Sequence, residues 1–151
     1  MKLVINKCYG GFSLSPLAVK RMAELRGEEC FFFKEKSRKY TPITIEKAQK
    51  EFLWTAFKVK NPTDYFSYEN FHSLSIEDKV KLNQSYSKVN LTCRPENRSD
   101  PLLVQTVEEL GEKANGSCAE LKIIEIPDGI EWEINEYDGM ESVRECHRSW
   151  S

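Results

Sequence analysis

The opening of the chain constrains its fold most: a short apolar run leads through a glycine turn into a well-marked helix start. The apolar run covers residues 3–8, and Gly10-Gly11 follow it. Ser15 can cap the next helix, because its hydroxyl can accept a hydrogen bond from an N–H of the first turn. Pro16 suits the first helical position, where a missing N–H costs nothing. A strand, a tight turn and a helix that ends at Gly27 are therefore predicted.

The rest of the chain carries strand and helix signals in mixed order. Runs of β-branched and aromatic residues predict strands at 30–33, 53–59, 119–126 and 130–134. Asp100-Pro101 predicts a second capped helix start, and Pro127-Asp128-Gly129 predicts a hairpin turn. Asp138, with Glu141 three residues later, resembles a capping box before a closing helix that would run to about Arg148. The segment 43–50 is compatible with either helix or strand.

This order of elements predicts one α+β domain over residues 1–151. We expect a mixed sheet with a C-terminal β-hairpin and about three main helices. Residues 63–97 show no clear periodicity and are interpreted as a long excursion from the domain. A length of 151 residues, with 40% hydrophobic and 30% charged residues, fits one globular domain.

The apolar and cysteine patterns exclude several classes of protein. No stretch reaches the roughly 18 apolar residues of a membrane span, and the apolar start is too short for a secretion signal. We therefore expect a cytoplasmic protein without a membrane partner. The five cysteines have irregular spacing, which favours buried reduced thiols over a disulfide framework or a zinc site. No cofactor, metal site or catalytic residue is predicted.

The charges are unevenly distributed although the net charge is only −2. Residues 34–60 contain eight basic and three acidic residues, whereas residues 128–151 contain seven acidic and two basic residues. These segments could face different partners, attract each other or simply be solvated. A sequence pI of about 5.8 makes nucleic acid an unfavoured partner.

Two segments resemble a known family. The first is the string VINKCYGGFSLS, and the second runs from DPLLVQTVEELGEKANG through LKIIEIPDG and WEINEYDG to HRSW. Together they resemble a widespread family of small proteins of unknown function that tailed bacteriophages and prophages encode. The resemblance covers roughly 70 residues at the two ends and implies a role in host interaction or counter-defence. It implies no mechanism.

A ligand site is predicted where the first strand turns into the first helix. Backbone N–H groups of a Gly-Gly loop, together with the helix dipole, can bind an anion such as a phosphate. Hydroxyl and aromatic side chains of the loop could add hydrogen bonds or stack on a base. The predicted ligand residues here are Tyr9, Gly10, Gly11, Phe12 and Ser13. The alternative is that the glycines only supply the positive φ of a tight turn.

A second group of predicted ligand residues lies towards the C-terminal end. On the predicted closing helix, Arg144 would share a face with Arg148 and His147, and two arginines can grip a phosphate. Asp138 and Arg98 complete the predicted set. The alternative is a solvated helix surface on which Glu141 pairs with Arg144.

Three classes of function follow from these patterns. We expect first a non-catalytic protein that binds a nucleotide-type small molecule, for example to sequester a host immune signal. The second hypothesis is an inhibitor or adaptor that acts on a host protein through the acidic segment at Glu131 and Glu133. The third is a small nucleotide-acting enzyme, which no motif requires. Assembly into a homo-oligomer is left open.

Overall fold

The structure is a computed structural model, and it describes residues 1–36, 39–60, 62, 75–77, 79–80 and 97–146. Most of the predicted excursion at 63–97, and also His147 and Arg148, lie outside the described residues. The chain divides into two compact units. Unit 1 comprises Met1–Met22 with Leu91–Ser151, and unit 2 comprises Ala23–Asn90. The single domain over 1–151 stays a prediction.

The α+β class is confirmed. The described strands are β1 (Lys2–Asn6), β2 (Phe31–Lys36), β3 (Lys39–Ile43), β4 (Thr55–Phe57), β5 (Leu121–Glu125), β6 (Trp132–Tyr137) and β7 (Met140–Glu145). The described α-helices are α1 (Pro16–Leu25), α2 (Ile45–Ala48) and α3 (Pro101–Leu110), and a 3-10 helix follows at Gly111–Ala114. The strands form three small antiparallel sheets, β1-β5, β3-β2-β4 and β6-β7, where the sequence predicted one mixed sheet.

Both predicted helix starts are confirmed. The hydroxyl of Ser15 accepts the N–H of Ala18 at 3.2 Å, and the carboxylate of Asp100 accepts the N–H of Leu102 at 2.9 Å. The turn after α1 ends at Gly27, whose φ of 69° lies in the left-handed region that glycine adopts without strain. Each helix start is a local structure, because the capping side chain accepts a hydrogen bond from an N–H of the first turn that has no partner within the helix.

The core of unit 1 lies between the β1-β5 sheet and the helices. Helix α3 packs against both strands, and its buried side chains are separated by helical spacing. The buried apolar side chains of this unit are Leu3, Val4, Ile5, Leu14, Ala18, Val19, Met22, Leu103, Val104, Val107 and Ala114. Asn6, at the end of β1, is fully buried too, so the strand carries a polar side chain into the core.

Unit 2 has an aromatic core on the β3-β2-β4 sheet. The rings of Phe33 and Tyr40 both lie edge-on to Phe57, with centroids at 5.5 Å and 4.8 Å. On the other face of β2, Phe32 meets Trp54 in the same manner at 5.5 Å. Edge-to-face packing of this kind satisfies the quadrupoles of the rings.

The predicted closing helix is wrong, because the chain from Met140 to Glu145 is strand β7, paired with β6. Asp138 and Gly139 have φ values of 50° and 84° and form the two-residue turn between these strands. Asp-Gly is a strong signal for such a turn, and here it outweighed the capping-box pattern. The C-terminal hairpin is thus confirmed, but its turn follows β6 and not Pro127-Asp128-Gly129, because β5 pairs with β1.

The cysteines were expected to be buried reduced thiols. Cys8, Cys30 and Cys146 are half-buried free thiols, and Cys118 is an exposed free thiol, so the prediction that the thiols are buried is wrong for Cys118. Cys93 lies outside the described residues.

None of the helices in the described ranges is both long and apolar enough to cross a membrane.

Candidate functional site

The loop after β1 and the turn of the β6-β7 hairpin meet backbone to backbone. The N–H of Gly10 donates to the carbonyl of Asp138 at 3.3 Å. A Cβ at Gly139 would overlap the amide nitrogen of Gly11, and a Cβ at Gly10 would lie 2.8 Å from the Cβ of Cys118. The glycines therefore permit close packing, and the Gly10 amide points to the hairpin instead of an open anion site.

The other end of the same loop is held by the segment after α3. The N–H of Gly116 donates to the carbonyl of Ser13 at 3.0 Å, and a Cβ at Gly116 would overlap the Ser13 hydroxyl. The hydroxyl of Ser15 donates to the carbonyl of Lys113 at 2.5 Å while it caps α1. The loop is thus fixed on two sides, and the position of Ser13 is explained by this contact.

A buried ion pair lies under the loop. Arg98 and Glu141 are only 2% and 5% exposed, and Nη2 of Arg98 lies 2.5 Å from Oε1 of Glu141. The guanidinium also stacks on the ring of Phe12, 3.3 Å from its centroid. The predicted ligand residue Arg98 is therefore engaged by the protein itself, and its positive charge is balanced within the core.

The second oxygen of Glu141 binds the edge of β1 that faces away from β5. It accepts the N–H of Asn6 at 2.8 Å, and the N–H of Val4, two residues earlier on this edge, donates to the carbonyl of Arg98 at 3.0 Å. These N–H groups point away from β5, because alternate residues of an antiparallel strand bond to alternate sides. The pair Arg98–Glu141 thus covers a strand edge that would otherwise be open.

The side chain of Asn6 ties the loop to the hairpin. Its amide nitrogen donates to the carbonyls of Cys8 and Gly139, both at 2.6 Å. Its amide oxygen accepts the N–H of Glu120 at 2.9 Å. A fully buried amide with three such bonds rigidifies the surrounding backbone, because leaving any of them unmade would be costly.

Two tyrosines project from this rigid backbone. Tyr9 is 59% exposed and Tyr137 is 78% exposed, and each directly precedes one partner of the hydrogen bond between Gly10 and Asp138. Glu136 and Asp138, the neighbours of Tyr137 in the chain, are also exposed, and one oxygen of Glu136 accepts the N–H of Gly139 at 2.9 Å. We call Tyr9, Glu136, Tyr137 and Asp138 the hairpin tip. It presents aromatic rings and negative charge to solvent.

The predicted C-terminal ligand residues do not share a helix face. Arg144 lies on β7, exposed, with its Nε 2.5 Å from Oε1 of Glu133 across the hairpin. Since Glu141 and Arg144 are three residues apart on a strand, they point to opposite faces. Arg98 binds Glu141, so the structure does not bring Arg144 to it. His147 and Arg148 lie outside the described residues.

Three residues of this site are not among the predicted ligand residues. Asn6 was a detectable signal, because it is a polar residue at the end of an apolar run. Glu141 was interpreted as part of a capping box, which concealed its pairing with Arg98. Tyr137 precedes the turn Asp138-Gly139, and recognising that turn would have placed it at the hairpin end.

In the ranges that the structure describes, no three His, Cys, Asp or Glu side chains gather as metal ligands would. Comparison of the chain with protein-family models, with curated proteins and with solved structures finds no match.

Proposed function

We propose that this protein is a non-catalytic binding protein that docks a partner protein through the hairpin tip. The observation that carries the proposal is the exposure of Tyr9 and Tyr137 on a backbone held by the Gly10–Asp138 hydrogen bond. Tyrosine is enriched in the energetic centres of interfaces, because it offers a large rigid contact area and a polar end. A preorganised tip also loses little conformational entropy on binding.

The charge of the tip indicates the chemistry of the partner. Glu136 and Asp138 precede and follow Tyr137 in the chain and are exposed, and the exposed Glu131 is farther along the hairpin. Complementary charge steers association and selects partners, so a basic protein surface with an apolar patch is the favoured partner. The resemblance to phage proteins supports a host protein in this role.

Nucleotide binding at the loop is less well supported by this geometry. The Gly10 amide donates to Asp138, the Ser15 hydroxyl donates to Lys113, and Arg98 is balanced by Glu141. An anion at the loop would therefore compete with contacts that these three groups already make within the protein. We therefore rank protein docking above the sequestering of a phosphorylated small molecule.

The test is a comparison of three baits in a bacterial lysate: the wild-type chain, Tyr9→Ser/Tyr137→Ser and the control Ile76→Ser. Ile76 is 81% exposed and belongs to unit 2, so its substitution removes an exposed apolar side chain elsewhere. We expect a stoichiometric basic partner that the wild type and the control retain and the tip variant loses. Loss of one anchoring aromatic residue commonly costs about 2 kcal/mol, roughly thirtyfold in affinity.

The captured partner is then purified, and its direct binding is measured by calorimetry at low and high salt. Equal binding by the wild type and the tip variant would refute docking at the tip. Thermal-shift screening with cyclic nucleotides and ADP-ribose tests the other hypothesis. We expect no stabilisation, and a shift that persists in the tip variant would favour the ligand hypothesis instead.

A further inference from the structure

The sequence contains one Asn-Gly pair, Asn115-Gly116, in the segment that follows α3. In such a pair the backbone nitrogen of the glycine can attack the side-chain carbonyl carbon of the asparagine, because glycine has no Cβ to hinder the approach. A C–N bond forms, ammonia leaves, and the resulting succinimide takes up water to give aspartate or isoaspartate. Water is the only other reactant, so the chain carries all the groups that this deamidation needs.

In the folded chain, a short antiparallel bridge to the residues before α1 holds the backbone on both sides of Asn115. The N–H of Ser15 donates to the carbonyl of Ala114 at 2.9 Å. The N–H of Gly116 donates to the carbonyl of Ser13 at 3.0 Å. We call these two hydrogen bonds the Asn115 bridge. The nitrogen that would attack is therefore bonded to another segment of unit 1.

The bridge also holds Asn115 in a conformation that cannot cyclise. Ring closure requires the glycine nitrogen and the Cβ of Asn115 to eclipse each other about the Cα–C bond, which tetrahedral geometry places at a ψ of roughly −120°. That value lies outside the main allowed regions for a residue other than glycine. The observed φ and ψ are −64° and 129°. Reaching the reactive ψ takes a rotation of more than a right angle, which would break the hydrogen bond from Gly116.

The side chain of Asn115 is held by a third segment. Its amide oxygen accepts the N–H of Leu121, at the start of β5, at 2.9 Å. This donor withdraws electron density from the carbonyl carbon and by itself would favour attack. Position decides between the two effects, because a nucleophile that is held out of reach gains nothing from a more polarised carbonyl.

We propose that Asn115-Gly116 is a deamidation site that the fold protects and that reacts when the Asn115 bridge opens. Isoaspartate inserts a methylene group into the main chain, so the modified backbone cannot make both hydrogen bonds of the bridge. Since the bridge holds one end of the loop after β1, each conversion to isoaspartate releases that end. The proposal does not rest on the docking function, which uses the hairpin tip.

The rates of conversion in the folded chain and in guanidinium chloride test the proposal. Peptide mass spectrometry after incubation at mildly alkaline pH follows the loss of Asn115, and chromatography separates its two products. We expect conversion at least about tenfold slower in the folded chain, and a Gly116 N–H protected from hydrogen exchange, since both processes need local opening. Equal rates in the two states would overturn the proposal, as would an Asn115 that stays intact in the denaturant.

Two cap substitutions separate local opening from a general loss of stability. Ser15→Ala removes the hydroxyl that binds the carbonyl of Lys113 next to the bridge, together with the cap of α1. We expect conversion about fivefold faster in the folded chain, which corresponds to the loss of one cap, and an unchanged rate in the denaturant. Thr44→Ala, which removes the cap of α2 in unit 2, is the control and should keep the wild-type rate. Equal acceleration in both variants, or none in Ser15→Ala, would overturn the role of the bridge.

The two products separate the effect of the new charge from that of the altered backbone. Asn115→Asp adds the charge of deamidation but keeps the main chain, and its carboxylate would still accept the N–H of Leu121. We expect its melting temperature to match that of the wild type, whereas the purified isoaspartate form melts at least about 3 °C lower. An isoaspartate form as stable as the wild type would refute the release of the loop.

Discussion

Arg98 and Glu141 form a buried ion pair across 43 residues of sequence, with 2.5 Å between Nη2 and Oε1. It joins the segment before α3 to strand β7, and its other carboxylate oxygen binds the N–H of Asn6 on β1. Three separate parts of unit 1 therefore depend on one carboxylate.

Glu141→Gln removes the charge that balances Arg98 and keeps the shape of the side chain. Removing one member of a buried pair leaves an uncompensated charge in the core, so we expect the free energy of unfolding to fall by about 3 kcal/mol. Urea denaturation measures it. Glu133→Gln is the matched control, because it breaks an exposed pair with Arg144 on the same hairpin and costs at most about 1 kcal/mol. Equal losses would show that Glu141 is not a buried ionic partner.

Arg98→Met, combined with Glu141→Gln, tests whether the two side chains act as a pair. The double variant contains no buried charge at this place, and the introduced amide oxygen would still accept the Asn6 N–H. Its loss of stability should therefore be smaller than the sum of the single losses. We expect a coupling of at least about 1 kcal/mol in the double-mutant cycle. Additive losses would contradict the pairing.

Gly139→Ala tests the close approach of the hairpin turn to the glycine loop. Its φ is 84°, and an added Cβ would overlap the amide nitrogen of Gly11. Gly129→Ala is the control: its φ is 82°, and a Cβ there meets no atom within 4 Å. Backbone strain of about 1 kcal/mol is common to both, so the additional loss in Gly139→Ala measures the overlap. Equal melting temperatures would show that the turn does not rest on the loop.

The stability of unit 1 should fall at acid pH through Glu109. Hydrogen bonds from Arg21, at 2.6 Å, and from Gln105, at 2.8 Å, lower the pKa of Glu109 from 4.5 to about 2. The Glu109 carboxyl binds a proton less readily in the folded state than in the unfolded state. The stability that ionised Glu109 contributes is therefore complete above pH 4.5 and is lost as pH falls towards 2.

Glu109→Gln should therefore flatten the fall in unfolding free energy over that range of pH. Urea titrations at a series of pH values measure it, and high salt reduces the difference because the pair is exposed. Glu112→Gln, an exposed carboxylate in the following turn, is the control and should keep the slope. The same slope in both variants would exclude Glu109 as a source of the pH dependence.

Local signals predicted the helix starts correctly and failed at the hairpin. Ser15 and Asp100 cap their helices because a cap and its first turn are neighbours in sequence. Asp138-Gly139 supports either a capping box or a hairpin turn, and the choice depended on whether the following residues could pair with β6. The Asp-Gly pair favours the turn, but a cap and a turn signal that overlap do not by themselves say which of the two the chain adopts.

In the candidate site, too, local features follow from the sequence and contacts between distant residues do not. The sequence by itself determined that a strand, a tight glycine turn and a capped helix open the chain, because these depend on backbone preferences of adjacent residues. Only the tertiary structure decided that the turn meets the hairpin, that Arg98 is balanced by Glu141, and that Tyr9 and Tyr137 are both exposed. The physical reason is that these contacts join residues about 40 to 130 positions apart, and the hydrogen-bonding needs of a buried group do not say which distant group satisfies them.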